Sequence, residues 1–163
     1  MIEIMESPGF SENITEIMKK EVEARRLMKI YPEESLILRL KVARADEEIG
    51  EFRFAGNNYS RAQATTHFLD GHKLSMMTLQ LSLRAATCYR EDYLAFPDHL
   101  SEGFESGKNT AFSLVRAAES ALYIGKKENA RGYANGALTE LKNANLRSDD
   151  LPEWARRIIQ KSI

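Results

Sequence analysis

Residues 110–143 read TAFSLVRAAESALYIGKKENARGYANGALTELKN, and this stretch decides the fold class. Apolar residues recur at helical spacing from Thr110 to Ile124, and Gly125 follows where a helix would end in the left-handed conformation. A second amphipathic segment runs from about Glu128 to Asn143. Two helices joined by so short a turn pack against each other, so the stretch predicts an antiparallel helical hairpin.

The second helix of this hairpin carries two internal glycines, Gly132 and Gly136. Each glycine costs up to about 1 kcal/mol relative to alanine, which favours a close approach of another backbone or a ligand. Small residues on both helices also allow them to pack closely. We therefore expect Gly132, Tyr133 and Gly136 to belong to an interaction face.

The chain before this hairpin also has helical periodicity. An amphipathic helix is predicted from Ser11 to Met28, and Pro32 marks the start of a second helix. The run Gly56-Asn57-Asn58 predicts the end of that second helix. A third helix is predicted from about Tyr59 to Glu91, with a bend at Gly71, and its two apolar stripes make it the expected central helix.

The remaining segments complete an all-α prediction. The stretch 92–109 contains Pro97, Gly103 and Gly107 and predicts an irregular connection. A short last helix is predicted after residues 148–150, held to the body by an apolar pair that includes Trp154. No alternating run long enough for a strand occurs. We expect residues 1–163 to form one all-helical domain of about six helices, packed as antiparallel hairpins in a bundle or repeat-like array, with 1–10 as a candidate flexible end.

Composition excludes several functional classes. The chain has 163 residues, 43% hydrophobic and 29% charged, which is typical of a globular domain. A net charge of −1, from 23 basic and 24 acidic residues, does not favour nucleic acid as a partner. Long apolar runs and a basic leader are missing, so we expect no membrane association and a cytoplasmic location. Cys88, the single cysteine, is expected to be a core thiol.

Two stretches of this chain share a pattern, and the second of them resembles the second helix of a tetratricopeptide repeat. They are GNNYSRA at 56–62 and GKKENARGYANGAL at 125–138, each with a glycine turn before small and aromatic residues. The first glycines of the two stretches lie 69 residues apart, close to two repeat periods. The resemblance implies a stack of helical hairpins.

The sequence EEIGEF, which contains Glu47, Glu48 and Glu51, resembles the first metal motif of all-α nucleotide pyrophosphohydrolases of the MazG type. In that family, carboxylates one helical turn apart share a magnesium ion that activates water. Asp70 matches the aspartate of the family's second motif, and His67 stands where the motif has glutamate. The resemblance implies a Mg²⁺ site formed by Glu48, Glu51 and Asp70.

Two further resemblances involve His67. Arg61 and His67, with five residues between them, resemble the arginine-to-histidine motif of HEPN ribonucleases, which implies catalysis on RNA by this pair. The pattern HxLxG, at His67, Leu69 and Gly71, is similar to that of histidine phosphotransfer domains, although Asp70 replaces the expected lysine.

The sequence favours a non-catalytic interaction or regulatory module that binds another protein or itself and needs no cofactor. If Ile49 and Phe52 face the core, Glu48 and Glu51 point to solvent rather than toward a metal. The metal-dependent hydrolase and, after it, the ribonuclease are the alternatives.

Overall fold

The computed structural model describes residues 14–69, 75–95 and 100–163. These residues form seven α helices and no strand, so the all-α prediction is confirmed and the count is one above the expected six. The helices are α1 (Ile14–Leu27), α2 (Pro32–Glu48), α3 (Phe52–Thr65), α4 (Met76–Ala95), α5 (Leu100–Tyr123), α6 (Lys127–Asn143) and α7 (Glu153–Ser162), with 3-10 turns at Thr66–Phe68 and Ser148–Asp150.

Three of the helices end in the same turn. The second residue after the end of α2, α5 and α6 has a positive φ: 80° at Gly50, 80° at Gly125 and 56° at Asn145. After α2, the N–H of Glu51 donates to the carbonyl of Asp46 at 2.8 Å, and equivalent bonds follow α5 and α6. This helix ending, which is closed by backbone hydrogen bonds, reverses the chain within a few residues. It creates the α2–α3 and α5–α6 hairpins, and it confirms Gly125 as a helix stop.

The described helices pack mainly against their neighbours in the chain, and the principal exception is the contact of α7 with α5. One apolar core joins α2, α3 and α4, around Leu36, Tyr59 and Ala85. A second core joins α5, α6 and α7, around Val115, Leu141 and Ile159. α1 packs on the other side of α2 through Ile17. The arrangement is an array of consecutive helices rather than a bundle around one centre.

No helix in the described part of the chain is both long enough and apolar enough to span a bilayer.

The prediction that the second helix ends at Gly56-Asn57-Asn58 is wrong, because these residues lie inside α3. α2 ends at Glu48, and Gly50 makes the turn with its positive φ. Gly56 instead allows α4 to approach α3 closely, since a Cβ at this position would meet the ring of Tyr89. Gly56 is therefore not a turn glycine, contrary to what the resemblance to a tetratricopeptide repeat implied.

The predicted third helix and the predicted irregular connection are also corrected. α3 ends at Thr65 and α4 begins at Met76, so 59–91 is not one helix. α4 continues to Ala95 and α5 already begins at Leu100. Gly107 lies within α5, where a Cβ would stand 3.0 Å from Cβ of Ala144. Gly56 and Gly107 thus allow close contacts between helices, although both were predicted to interrupt a helix. Residues 1–13, Gly71 and Pro97 lie outside the described residues.

Candidate functional site

A cleft of about 340 Å³ opens between α2, α3 and α4. Its apolar part is formed by leucine, methionine and tyrosine side chains, and arginine and glutamine complete it. The lining residues are Leu40, Arg44, Tyr59, Met77, Gln80, Leu81 and Arg84. Among the described residues no acidic side chain lines this cleft, and its two charged lining residues, Arg44 and Arg84, are both basic.

The guanidinium of Arg84 is held in place from two sides. Its Nη2 donates to Oε2 of Glu47 at 2.6 Å. Its Cζ lies 5.9 Å from the centre of the Tyr59 ring. The hydrogen bond to Glu47 raises the pKa of Arg84 above its already high value, although burial opposes the shift. One cation of the cleft is therefore ordered before any ligand arrives.

Glu47 also fixes the thiol of Cys88. The Sγ atom donates to Oε1 of Glu47 at 3.0 Å, and Cys88 is 2% exposed. Burial, and then the contact with Glu47, raises the pKa of the thiol well above its ordinary value. The thiol is thus a neutral hydrogen-bond donor and a poor nucleophile. The prediction that Cys88 is a core residue is confirmed.

The role of Glu47 was missed from the sequence, where it was grouped with the carboxylates of a metal motif. Leu36, Leu40, Ala43 and Glu47 follow one another at steps of four, three and four residues. That spacing continues the core-facing stripe of α2 into Glu47. The spacing was the available signal, and it places Glu47 against α4.

The carboxylates proposed as metal ligands do not form a site in the described residues. Glu48 and Glu51 are both exposed, as predicted, but the premise of that prediction is wrong for Ile49, which is 51% exposed and does not face the core. Asp70 lies outside the described residues. Among the described residues, no three His, Cys, Asp or Glu side chains are placed to hold a metal ion.

Arg61 and His67 are held by different partners. Arg61 lies on α3, and its Nη1 donates to Oε1 of Glu21 on α1. His67 is exposed, and its Nε2 lies 3.3 Å from Nε2 of Gln63. Arg61 therefore serves as a link between α1 and α3. Of the phosphotransfer-like pattern, Leu69 packs against the first core, and Asp70 and Gly71 lie outside the described residues.

A buried polar seam crosses the α1–α2–α3 junction. Oγ of Ser35 donates to the carbonyl of Ala24 at 2.5 Å, which ties α2 to α1. Nδ2 of Asn58 donates to Oδ2 of Asp46 at 3.1 Å, which ties α3 to α2. Burial raises the pKa of Asp46 to about 6, and the bond from Asn58 only partly opposes this.

Arg39 occupies the middle of this seam and is 2% exposed. In the described part of the chain, its Nε and Nη1 atoms have no hydrogen-bond partner. Ser35, Arg39, Val42 and Asp46 share one face of α2, so the seam was visible as a stripe with polar members. Only the apolar residues of α2 were used to predict its buried face.

The expected interaction face on α6 is open at one glycine and packed at the other. A Cβ at Gly132 would meet nothing within 4 Å, whereas one at Gly136 would lie 3.4 Å from Cδ1 of Leu114 on α5. Tyr133 packs partly against the second core. Gly136 thus serves the α5–α6 contact, and the interaction role of the three residues stays a prediction.

Comparison with protein-family models, curated proteins and solved structures finds no match to this chain. The resemblances to tetratricopeptide repeats, MazG-type hydrolases and HEPN ribonucleases remain predictions.

Proposed function

We propose that this chain is a cytoplasmic, non-catalytic helical interaction module whose α2–α3–α4 cleft binds a segment of a partner protein. The partner segment carries an apolar side chain next to a carboxylate. One observation carries the proposal: apolar residues form much of the cleft, and its charged residues in the described part of the chain are two arginines, Arg44 and Arg84.

The size and order of the cleft support a peptide ligand. A volume of about 340 Å³ is at the lower end of ligand pockets and suits one or two side chains. Arg84 is already oriented by Glu47, so less side-chain freedom is lost when a carboxylate binds. Tyrosine and arginine are also the residues that most often dominate binding energy at interfaces.

The surroundings of Arg61, one of the two candidate catalytic residues, and of the Cys88 thiol support the non-catalytic part of the proposal. Arg61 is engaged by Glu21, and the Cys88 thiol is buried against Glu47. A nucleophile or an acid–base catalyst needs an accessible group with a perturbed pKa and a partner that activates it. Neither Arg61 nor Cys88 has these surroundings.

An array of acidic-apolar peptides, with matched basic-apolar peptides on the same support, tests the cleft. We expect the protein to select the acidic set, and the Arg44→Glu variant to bind at least about tenfold more weakly, because the charge at residue 44 is reversed and the two lining charges then cancel. Arg131→Glu, an exposed arginine on α6, is the matched control and keeps full binding. Equal binding of both peptide sets, or of Arg44→Glu and the unaltered protein, contradicts the proposal.

The enzymatic alternatives are tested separately. Nucleoside triphosphates with Mg²⁺ are incubated with the protein and with the Glu48→Gln and Glu51→Gln variants, and RNA with the His67→Ala variant. We expect that no substrate turnover by the protein depends on Glu48, Glu51 or His67. Light scattering of the same samples gives the size of the particle and shows whether the partner is a second copy of the chain.

A further inference from the structure

Arg39 is the least satisfied charged residue of the described chain. Its side chain is enclosed between helices, and two of its nitrogens, Nε and Nη1, lack partners there. A buried arginine loses its hydration, and hydrogen bonds at Nε and Nη1 do not replace it here. An orphan group of this kind in a folded protein commonly marks the position of a water molecule or an ion.

The charges around Arg39 favour an anion over water. Arg61 and Arg25 repel the Arg39 guanidinium, and Glu21 attracts it. Glu21 already accepts a hydrogen bond from Arg61. Two like charges therefore act on Arg39 against one opposite charge, and the repulsion from Arg61 is the largest of the three.

We propose that Arg39 is the centre of an oxyanion site at the junction of α1, α2 and α3, and that the site takes a free phosphate or sulfate ion. The unpaired donors Nε and Nη1 are the groups that bind the ion. Arginine binds phosphate oxygens through charge-assisted hydrogen bonds, which are stronger than bonds between neutral groups. The enclosure of Arg39 selects a small ion over a phosphate attached to a larger molecule.

The pair of Glu21 and Arg61, which joins α1 to α3, is partly exposed. α1 packs chiefly on α2, at one end of the described array. Entry of the ion at this pair would require outward movement of α1. Bound there, the ion neutralises the arginines and locks α1 onto α2 and α3.

Thermal unfolding of the full chain in sodium phosphate, against sodium chloride of equal ionic strength, tests this site. We expect Tm to rise with phosphate in a saturable way, by on the order of 3 °C. The Arg39→Met variant should lose the saturable rise. It should also be at least as stable as the unaltered protein in chloride, because an unpaired buried charge has been removed. Arg131→Met, an exposed arginine, is the matched control and keeps the rise.

Isothermal titration of the unaltered protein with inorganic phosphate and with phenyl phosphate completes the test and does not depend on the folding of a variant. Saturable heat with phosphate alone supports a free ion, and equal heat with both ligands overturns the enclosed site. Identical Tm values in phosphate and chloride, or an equal rise in Arg39→Met, overturn the proposal. A buried water molecule is then the partner of Arg39.

Discussion

The ring of Tyr89 lies directly against Gly56: a Cβ atom at residue 56 would stand 2.8 Å from Cδ1 of the ring. Tyr89 is 4% exposed, and its hydroxyl donates to Oδ1 of Asn57 at 2.8 Å. The ring is therefore fixed both by burial and by its hydroxyl. The absence of a side chain at Gly56 sets the distance between α3 and α4.

Replacing Gly56 with alanine should destabilise the protein. The added methyl group overlaps a ring that cannot move freely, and overpacking of this kind costs about 1–3 kcal/mol. The better helix propensity of alanine offsets up to about 1 kcal/mol. We expect a net loss of about 1 kcal/mol in the free energy of unfolding, measured by urea denaturation followed by circular dichroism.

Gly132→Ala is the matched control, because Gly132 also lies within a helix and a Cβ there meets nothing within 4 Å. This variant should gain about 0.5–1 kcal/mol. If both variants change stability in the same direction, the close contact between Gly56 and Tyr89 does not determine the packing.

The two glycines show what local sequence can and cannot predict. Gly125 was predicted as a helix stop, and it has a φ of 80°. Gly56 was predicted as a stop for the same reason, but its role depends on Tyr89, which lies 33 residues further along the chain. Helical periodicity is local and predicted the all-α class. The choice between a glycine that turns and a glycine that packs depends on a tertiary contact.

Asp46 should make stability depend on pH. Its pKa in the folded state is raised to about 6, above the ordinary value of an aspartate. The folded state therefore binds the proton more tightly than the unfolded state. The stabilisation that comes from protonated Asp46 is fully present below about pH 4 and is lost as pH rises through about 6. We expect Asp46→Asn to be more stable than the unaltered protein at pH 7.5, by on the order of 2 kcal/mol.

Urea denaturation at intervals between pH 4 and pH 7.5 checks this effect. The difference between Asp46→Asn and the unaltered protein should grow across that range. Asp149→Asn, at an exposed position near the start of α7, should leave the pH profile unchanged. A constant difference between the Asp46→Asn and unaltered curves would contradict the shift.

The polar residues of the candidate sites were the least predictable part of the chain. The exposure of Glu48 and Glu51 was predicted from one continuous helix with Ile49 in the core, but α2 ends at Glu48 and Ile49 is exposed. The partners of Glu47 could not be predicted, because Arg84 and Cys88 belong to a helix that reaches α2 only through the fold. Arg39 was passed over because an arginine within a helix is usually exposed.

Cys88 should resist thiol reagents in the folded protein. Its thiol is buried and donates to Glu47, and both effects raise its pKa, so almost no thiolate is present at neutral pH. We expect the reaction with an aromatic disulfide reagent at pH 8 to be at least about a hundredfold slower than in 6 M urea. Because the chain has one cysteine, the signal reports this site alone. Rapid labelling without denaturant would show that the thiol is accessible.

The contact between Arg116 and Trp154 should stabilise the docking of α7. The guanidinium carbon of Arg116 lies 3.9 Å from the centre of the Trp154 ring, close enough for a cation–π interaction. The ring of Phe112 lies 6.1 Å from the same indole, centre to centre. Arg116→Gln removes the cation and should cost about 0.5–2 kcal/mol. Trp154 is the only tryptophan, so its fluorescence reports on α7 directly.

Arg116 also donates to Glu119 at 3.2 Å, and the two contributions must be separated. Glu119→Gln removes the partly exposed ion pair and keeps the ring contact, and it should cost less than about 0.5 kcal/mol. In Arg116→Gln, the fluorescence midpoint in urea should fall below the midpoint from circular dichroism, because α7 packs only on α5 and α6 among its principal neighbours and can detach first. Coincident midpoints with an unchanged free energy would show that the arginine does not hold α7 in place.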